Sequence, residues 1–163
     1  MITNMLIIKY FILVFIIFIL QSWTSEFFSL GTIDPDFCVI AILYIAIRDG
    51  RLNGVFVGFF IGLFIDLSSA PNQYFGLTPL IYTVTGYFCG FLKGQNNKLN
   101  KTYFTAIWIS IIVIQFLIFS LIVYQEYLIQ DSFNFTVKWI STSLYTLTFL
   151  GILQFIIPIY KMA

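Results

Sequence analysis

Between Arg51 and Asp66 no residue is charged, and glycine recurs at positions 54, 58 and 62. At about 100° per residue, positions four apart drift only slowly around a helix. Gly54, Gly58, Gly62 and Asp66 therefore share one narrow face, a flat groove with a carboxylate at its end. Small residues at this spacing let two helix backbones approach closely. An acid at the end of an apolar helix is costly unless it reaches an interface or a partner. The stretch predicts an apolar helix with a neighbour in its groove.

The rest of the chain fits that environment. Of 163 residues, 60% are hydrophobic and 9% charged, with a mean hydropathy of +0.98. Soluble domains carry about 25% charged residues. The composition predicts an all-α, polytopic membrane protein with the bilayer as its main solvent. No polar stretch is long enough to fold alone, so residues 1–163 form one transmembrane domain.

Six spans are expected, near 5–23, 35–48, 52–68, 76–93, 102–124 and 137–158. The first is interrupted only by Lys9 and ends near Trp23, an interfacial anchor. No small-x-small cleavage site follows it, so it reads as a retained helix rather than a signal peptide. Asp34-Pro35-Asp36 opens the second, with a cap, a proline in the first turn and acid at the positive end of the dipole. Its apolar run, Phe37 to Ile47, spans only about 16 Å against a core of about 30 Å, so it should be packed among other helices. Arg48-Asp49-Gly50-Arg51 is a helical hairpin turn. Pro71-Asn72 and Gly76 mark the loop after the third span. The fourth repeats the glycine spacing at Gly86, Gly90 and Gly94. Tyr124 to Lys138 reads as a polar, aromatic loop, and Pro158 and Lys161 close the sixth span. Cys38 and Cys89 fall near opposite ends of their helices, too far apart to bridge.

Charge sets the orientation. With the N-terminus inside, six spans leave Lys9, Arg48, Arg51, Lys93, Lys98, Lys101 and Lys161 inside, seven of the eight basic residues. The positive-inside rule then places both termini in the cytoplasm, with Lys138 the exception. Asp36 and Asp66 fall at the outer face.

Histidine is absent, which removes the commonest general base and any Ser-His or Cys-His pair. No phosphate-binding loop is present and no two acids meet in mid-membrane, so an enzyme is not expected. Two readings remain. A transporter subunit would use Asp66 as a proton or cation site. A scaffold would use Asp66 to cap the loop or meet a partner, and its glycine grooves to pack helices.

Certain residues, taken in order, resemble the MreD family of rod shape-determining proteins. They are Pro35-Asp36-Phe37; Arg48-Asp49-Gly50-Arg51; Gly54, Gly58, Gly62-Leu63 and Asp66; then Gly76-Leu77 and Gly86-Tyr87 with Gly90. The resemblance implies a non-enzymatic, multi-pass protein of the bacterial inner membrane. Its implied partners are the single-span protein MreC, the polymerase RodA with its class B penicillin-binding transpeptidase and, indirectly, the actin homologue MreB. It implies support of peptidoglycan synthesis and rod shape, and a fold similar to the substrate-binding subunits of energy-coupling-factor transporters. It implies no cofactor, metal or nucleic acid. The expected packing groove is Gly54, Gly58, Gly62, Gly86, Gly90 and Gly94. The expected partner contacts are Asp36, Arg48, Arg51 and Asp66.

Overall fold

The computed structural model of the chain describes residues 2–29, 33–68 and 74–162. Gly31, the Pro71-Asn72 pair and the Glu26 side chain lie outside the described residues. The architecture is all-α. The helices are α1 (Ile2–Phe28), α2 (Phe37–Asp49), α3 (Arg51–Ser68), α4 (Leu77–Cys89), α5 (Lys101–Val123), α6 (Gln125–Gln130) and α7 (Ser132–Ile156). Short 3-10 turns follow α4 at Gly90–Leu92 and α7 at Ile159–Lys161. Among the described residues, α3, α5 and α7 are long and apolar enough to cross a membrane.

The core is built around α2. Cys38, Val39, Ile42, Leu43, Ala46 and Ile47 are all fully buried, and α1, α3, α4 and α7 pack against the helix. A helix apolar on nearly every side is stable only when so enclosed. Enclosure also explains how a helix of 13 residues serves in this chain, because other helices, rather than lipid, cover it.

Its start is held by three neighbours. Asp36 is the N-cap and accepts from the Val39 N–H at 3.0 Å. Pro35 therefore precedes the cap instead of sitting in the first helical turn. Gln21 of α1 donates to the Pro35 carbonyl at 3.1 Å and accepts from the Phe37 N–H at 2.9 Å. The Phe37 N–H is one of the donors that a helix start leaves without an intrahelical partner. Thr146 of α7 accepts from the Asp36 N–H at 3.1 Å, and Tyr82 of α4 donates to the Asp36 carboxylate at 2.6 Å. Three separate helices thus fix one helix end.

The connection from α2 to α3 is Gly50 alone, at φ 97°. That left-handed geometry is cheap only for glycine. Lys93 donates to the Asp49 carbonyl at 3.0 Å, placing a cation on the negative end of α2. Cys38 and Cys89 are free and buried.

Two boundaries differ from the sequence reading. The first helix runs on past residue 23 to Phe28. There, Phe28 packs edge-on against Phe37 and Phe149, and the Tyr145 hydroxyl donates to the Phe28 carbonyl at 2.8 Å. The segment read as a loop from Tyr124 to Lys138 is mostly helical, holding α6 and the start of α7. Asp131 caps α7 by accepting from the Asn134 N–H at 3.3 Å, and the Asn134 side chain donates to it at 2.6 Å. Lys138 lies over the rings of Tyr124, 4.3 Å from the centroid, and Tyr127, at 5.1 Å. Those aromatic faces hold the one basic residue that the charge pattern left over.

Tyr82→Phe removes a hydrogen bond to a carboxylate while leaving the ring. It should destabilise the protein by about 1.5–3 kcal/mol, read as a lower melting temperature in mild detergent.

Candidate functional site

The seam between α3 and α4 is the most extensive helix contact in the molecule. The helices run antiparallel, so positions rise along one as they fall along the other. A Cβ built on Gly54 would lie 2.5 Å from the Gly86 carbonyl oxygen and 2.7 Å from the Ala46 Cβ. One on Gly62 would lie 2.5 Å from the Pro79 Cα. Gly58 faces the Tyr82 carbonyl, Gly86 faces the Gly54 carbonyl and Gly90 faces the Arg51 backbone, each too closely for a side chain. Gly54, Gly58, Gly62, Gly86 and Gly90 therefore lie in one seam, filled from both sides by the chain's own backbone.

Gly94 does not join them. The helix ends at Cys89, the 3-10 turn carries the chain to Leu92, and Lys93 is extended at ψ 126°. Gly94 then takes φ +72° in the following turn and has nothing within 4 Å of its Cβ position. The spacing of four holds in sequence, but the helix needed to convert it into a common face has already stopped.

Both ends of the seam carry polar groups. At one end Asp66 accepts from the Gly76 N–H at 2.6 Å, closing the loop between α3 and α4. Tyr82, which faces Gly58 through its backbone, reaches Asp36 through its hydroxyl. At the other end Arg48 makes a two-pronged pair with Asp49, Nε to Oδ1 at 3.0 Å and Nη2 to Oδ2 at 2.8 Å. The Arg51 guanidinium lies 4.2 Å from the centroid of the Phe91 ring, and Leu52 beside it is 86% exposed. The structure thus gives Asp36, Asp66, Arg48 and Arg51 each a partner within the chain. It brings Arg51 and Gly90 together, and Asp36 and Tyr82.

Several polar residues inside the helices went unassigned in the sequence reading: Gln21 and Thr146, which clamp α2, and Gln115 on α5. Gln115 is 5% exposed, and its Oε1 has no hydrogen-bond partner among the described residues. The available signal was a polar residue in an apolar span, which is expensive wherever lipid surrounds the bundle. The geometry consists of backbone contact along the seam and capped helix ends.

Gly58→Leu would drive a side chain into the Tyr82 backbone and force the helices apart. We expect a loss of about 3 kcal/mol or more, or no recoverable folded protein in the membrane fraction. Gly151→Ala, at a glycine with open space around it, should melt within about 0.5 kcal/mol of the wild type.

A family model described as rod shape-determining protein MreD matches residues 2–163. No curated protein and no solved structure matches the chain. With nearly its whole length covered by that model, the chain belongs to the rod shape-determining protein MreD family.

Proposed function

We propose that this protein is a non-enzymatic membrane scaffold of the bacterial cell-elongation complex. In this reading it spans the inner membrane six times with both termini in the cytoplasm. It binds the transmembrane helix of MreC and supports peptidoglycan synthesis by RodA and its class B penicillin-binding transpeptidase, with MreB engaged indirectly. Family membership ties the chain to rod-shape determination.

The observation that carries the reading is the self-filled seam. Backbone occupies the space beside each seam glycine, so the groove serves internal packing and a partner helix must dock on an outer face. Those faces are apolar. Phe11, Ile12, Phe15 and Ile16 on α1 and Ile107, Ile114 and Ile118 on α5 are all exposed. Exposed apolar area on this scale suits lipid or a helix partner.

Several contacts favour the topology. Lys93 reaches Asp49, and the Tyr160 hydroxyl donates to the Asn96 carbonyl at 2.6 Å. These draw the Arg48–Arg51 turn, the basic loop and the C-terminal turn towards one end of the bundle, as a cytoplasmic face requires. The spans beyond α3, α5 and α7 would be Lys9–Thr24 of α1, the enclosed α2, and Leu77–Leu92. Such a compact core of short helices is consistent with a fold similar to energy-coupling-factor substrate-binding subunits. Arg51 is the favoured cytoplasmic contact, with Arg48 beside it. Asp36 and Asp66 lie at the proposed outer end and would shape the surface that meets the base of MreC's periplasmic domain.

A pull-down from native membranes in mild detergent should recover MreC and the cell-wall polymerase pair. Recovery of an ATPase pair instead would overturn the scaffold in favour of a transporter subunit. Replacing Arg48 and Arg51 together by glutamine should lower recovery of cytoplasmic partners several-fold, with protease accessibility reporting unchanged orientation. Undiminished recovery would leave the arginines as topology anchors only.

A further inference from the structure

Between α4 and α5 runs an open groove of about 320 Å3. Leu80, Val84 and Phe88 form one wall, and Ile111, Ile114 and Ile118 the other. Its two polar residues offer an occupant little. The Thr85 hydroxyl donates to the Ile81 carbonyl at 2.8 Å, and the Gln115 Oε1 has almost no accessible surface. Whatever lies along this length is apolar.

The width decides between a hydrocarbon chain and a helix. Leu80 to Phe88 covers about 12 Å of helix rise, so the mean cross-section of the groove is about 27 Å2. A helix with its side chains is about 10 Å across, or about 80 Å2. The groove is too narrow to seat a helix, whereas a single acyl chain fits.

The groove leads to a cation. Phe88 stacks on Phe91 with centroids 6.4 Å apart, and the Arg51 guanidinium lies 4.2 Å from the Phe91 centroid. The Arg51 backbone lies against Gly90, so the α3–α4 seam sets where that side chain reaches. Stacking occupies a face of the guanidinium and leaves the donors on its edge. Among the described residues Arg51 has no carboxylate partner, because Asp49 pairs with Arg48 through two hydrogen bonds. Lys93 joins the same corner by donating to the Asp49 carbonyl. Three cations against one carboxylate leave the corner net positive. The fork of N–H donors matches a phosphate, and a headgroup carrying its own cation would find no free carboxylate there. From Phe91 to Leu80 is about 16 Å, the depth of one leaflet of a core about 30 Å thick. We propose that the groove holds an acyl chain of an anionic phospholipid whose phosphate lies at Arg51. This rests on the membrane reading given above, with the Arg48–Arg51 turn at the bilayer surface, and not on the partners named there.

The test uses the full chain in nanodiscs of equal parts phosphatidylglycerol and phosphatidylcholine. After extraction into mild detergent, native mass spectrometry reads the retained lipid. Phosphatidylglycerol should be retained about fivefold over phosphatidylcholine, the preference that one basic residue gives near a membrane surface. Arg51→Gln should bring the ratio close to one. Lys98→Gln removes a charge from the basic loop, outside the groove lining, and should keep the preference. Ile114→Trp, at a residue 55% exposed, fills the groove from the α5 side and should lower retention of both lipids several-fold. Val84→Trp fills it from the other wall and carries the comparison if Ile114→Trp fails to fold. Protease accessibility in vesicles reports the topology separately, so loss of the membrane reading and loss of the lipid site are distinct results. Equal retention of the two lipids by the wild type, the same loss in Lys98→Gln as in Arg51→Gln, or wild-type retention in folded groove-filled variants overturns the proposal. So does a wild type that retains no lipid while Ile114→Cys crosslinks to a partner's helix in native membranes, which would assign the groove to that helix.

Discussion

Where α3 crosses α4, the Gly54 and Gly86 backbones touch, and the placing of the other helices follows from that contact. In a bilayer, lipid is as apolar as leucine, so helices gain little from hiding apolar side chains from their surroundings. What remains is van der Waals contact, individually worth about 0.1–0.2 kcal/mol per atom pair and useful only when many atoms meet at optimal distance. Glycine at 54, 58, 62, 86 and 90 lets main chain meet main chain along most of α3. Any Cβ on that line would widen the gap and forfeit many contacts together.

The seam then positions the polar groups. With Gly58 set against Tyr82, the Tyr82 ring extends far enough to bond Asp36, and so joins the start of α2 to α4. With Gly90 set against Arg51, the 3-10 turn brings Lys93 to the carbonyl end of α2. One register therefore fixes both ends of the central helix. Gln21 and Thr146 add α1 and α7 to the same point. The buried α2 owes its stability to these end clamps as much as to its apolar surface, because a thirteen-residue helix alone is marginal.

Periodicity made the α3 face legible, since Gly54, Gly58 and Gly62 read as one line in any helix. It could not supply the register. An antiparallel crossing sets Gly62 against Pro79, and the Gly94 position depends on where α4 ends, which local spacing does not encode. Asp66 was legible as the end of that face, while its partner, the Gly76 N–H, lies across a loop. Asp36 was legible as a cap from Asp34-Pro35-Asp36, but its bond to Tyr82 joins residues 46 apart. The helical character of Ser132 to Lys138 was hidden by its polar, aromatic composition. The pairing of Asp131 with Asn134 was the available cue, a cap read at a distance of three residues.

Gln115 shows most clearly what apolarity alone conceals. It sits among Ile111, Ile112, Ile114, Phe116 and Ile118, in a helix long and apolar enough to span a membrane. For packing, leucine would serve as well, and an orphaned buried acceptor costs about 1–3 kcal/mol. Neighbouring polar side chains escape that cost locally: Thr85 donates to the Ile81 carbonyl, and Ser143 to that of Trp139. The Gln115 Oε1 has no such partner among the described residues and is closed off within the helix packing. A fold held by backbone contact at its seam can carry such a group. Thr83 Oγ1 on α4 and Trp108 Nε1 on α5 are likewise buried without a partner among the described residues, so the unmet hydrogen bonds fall both on the seam helix and on its neighbour.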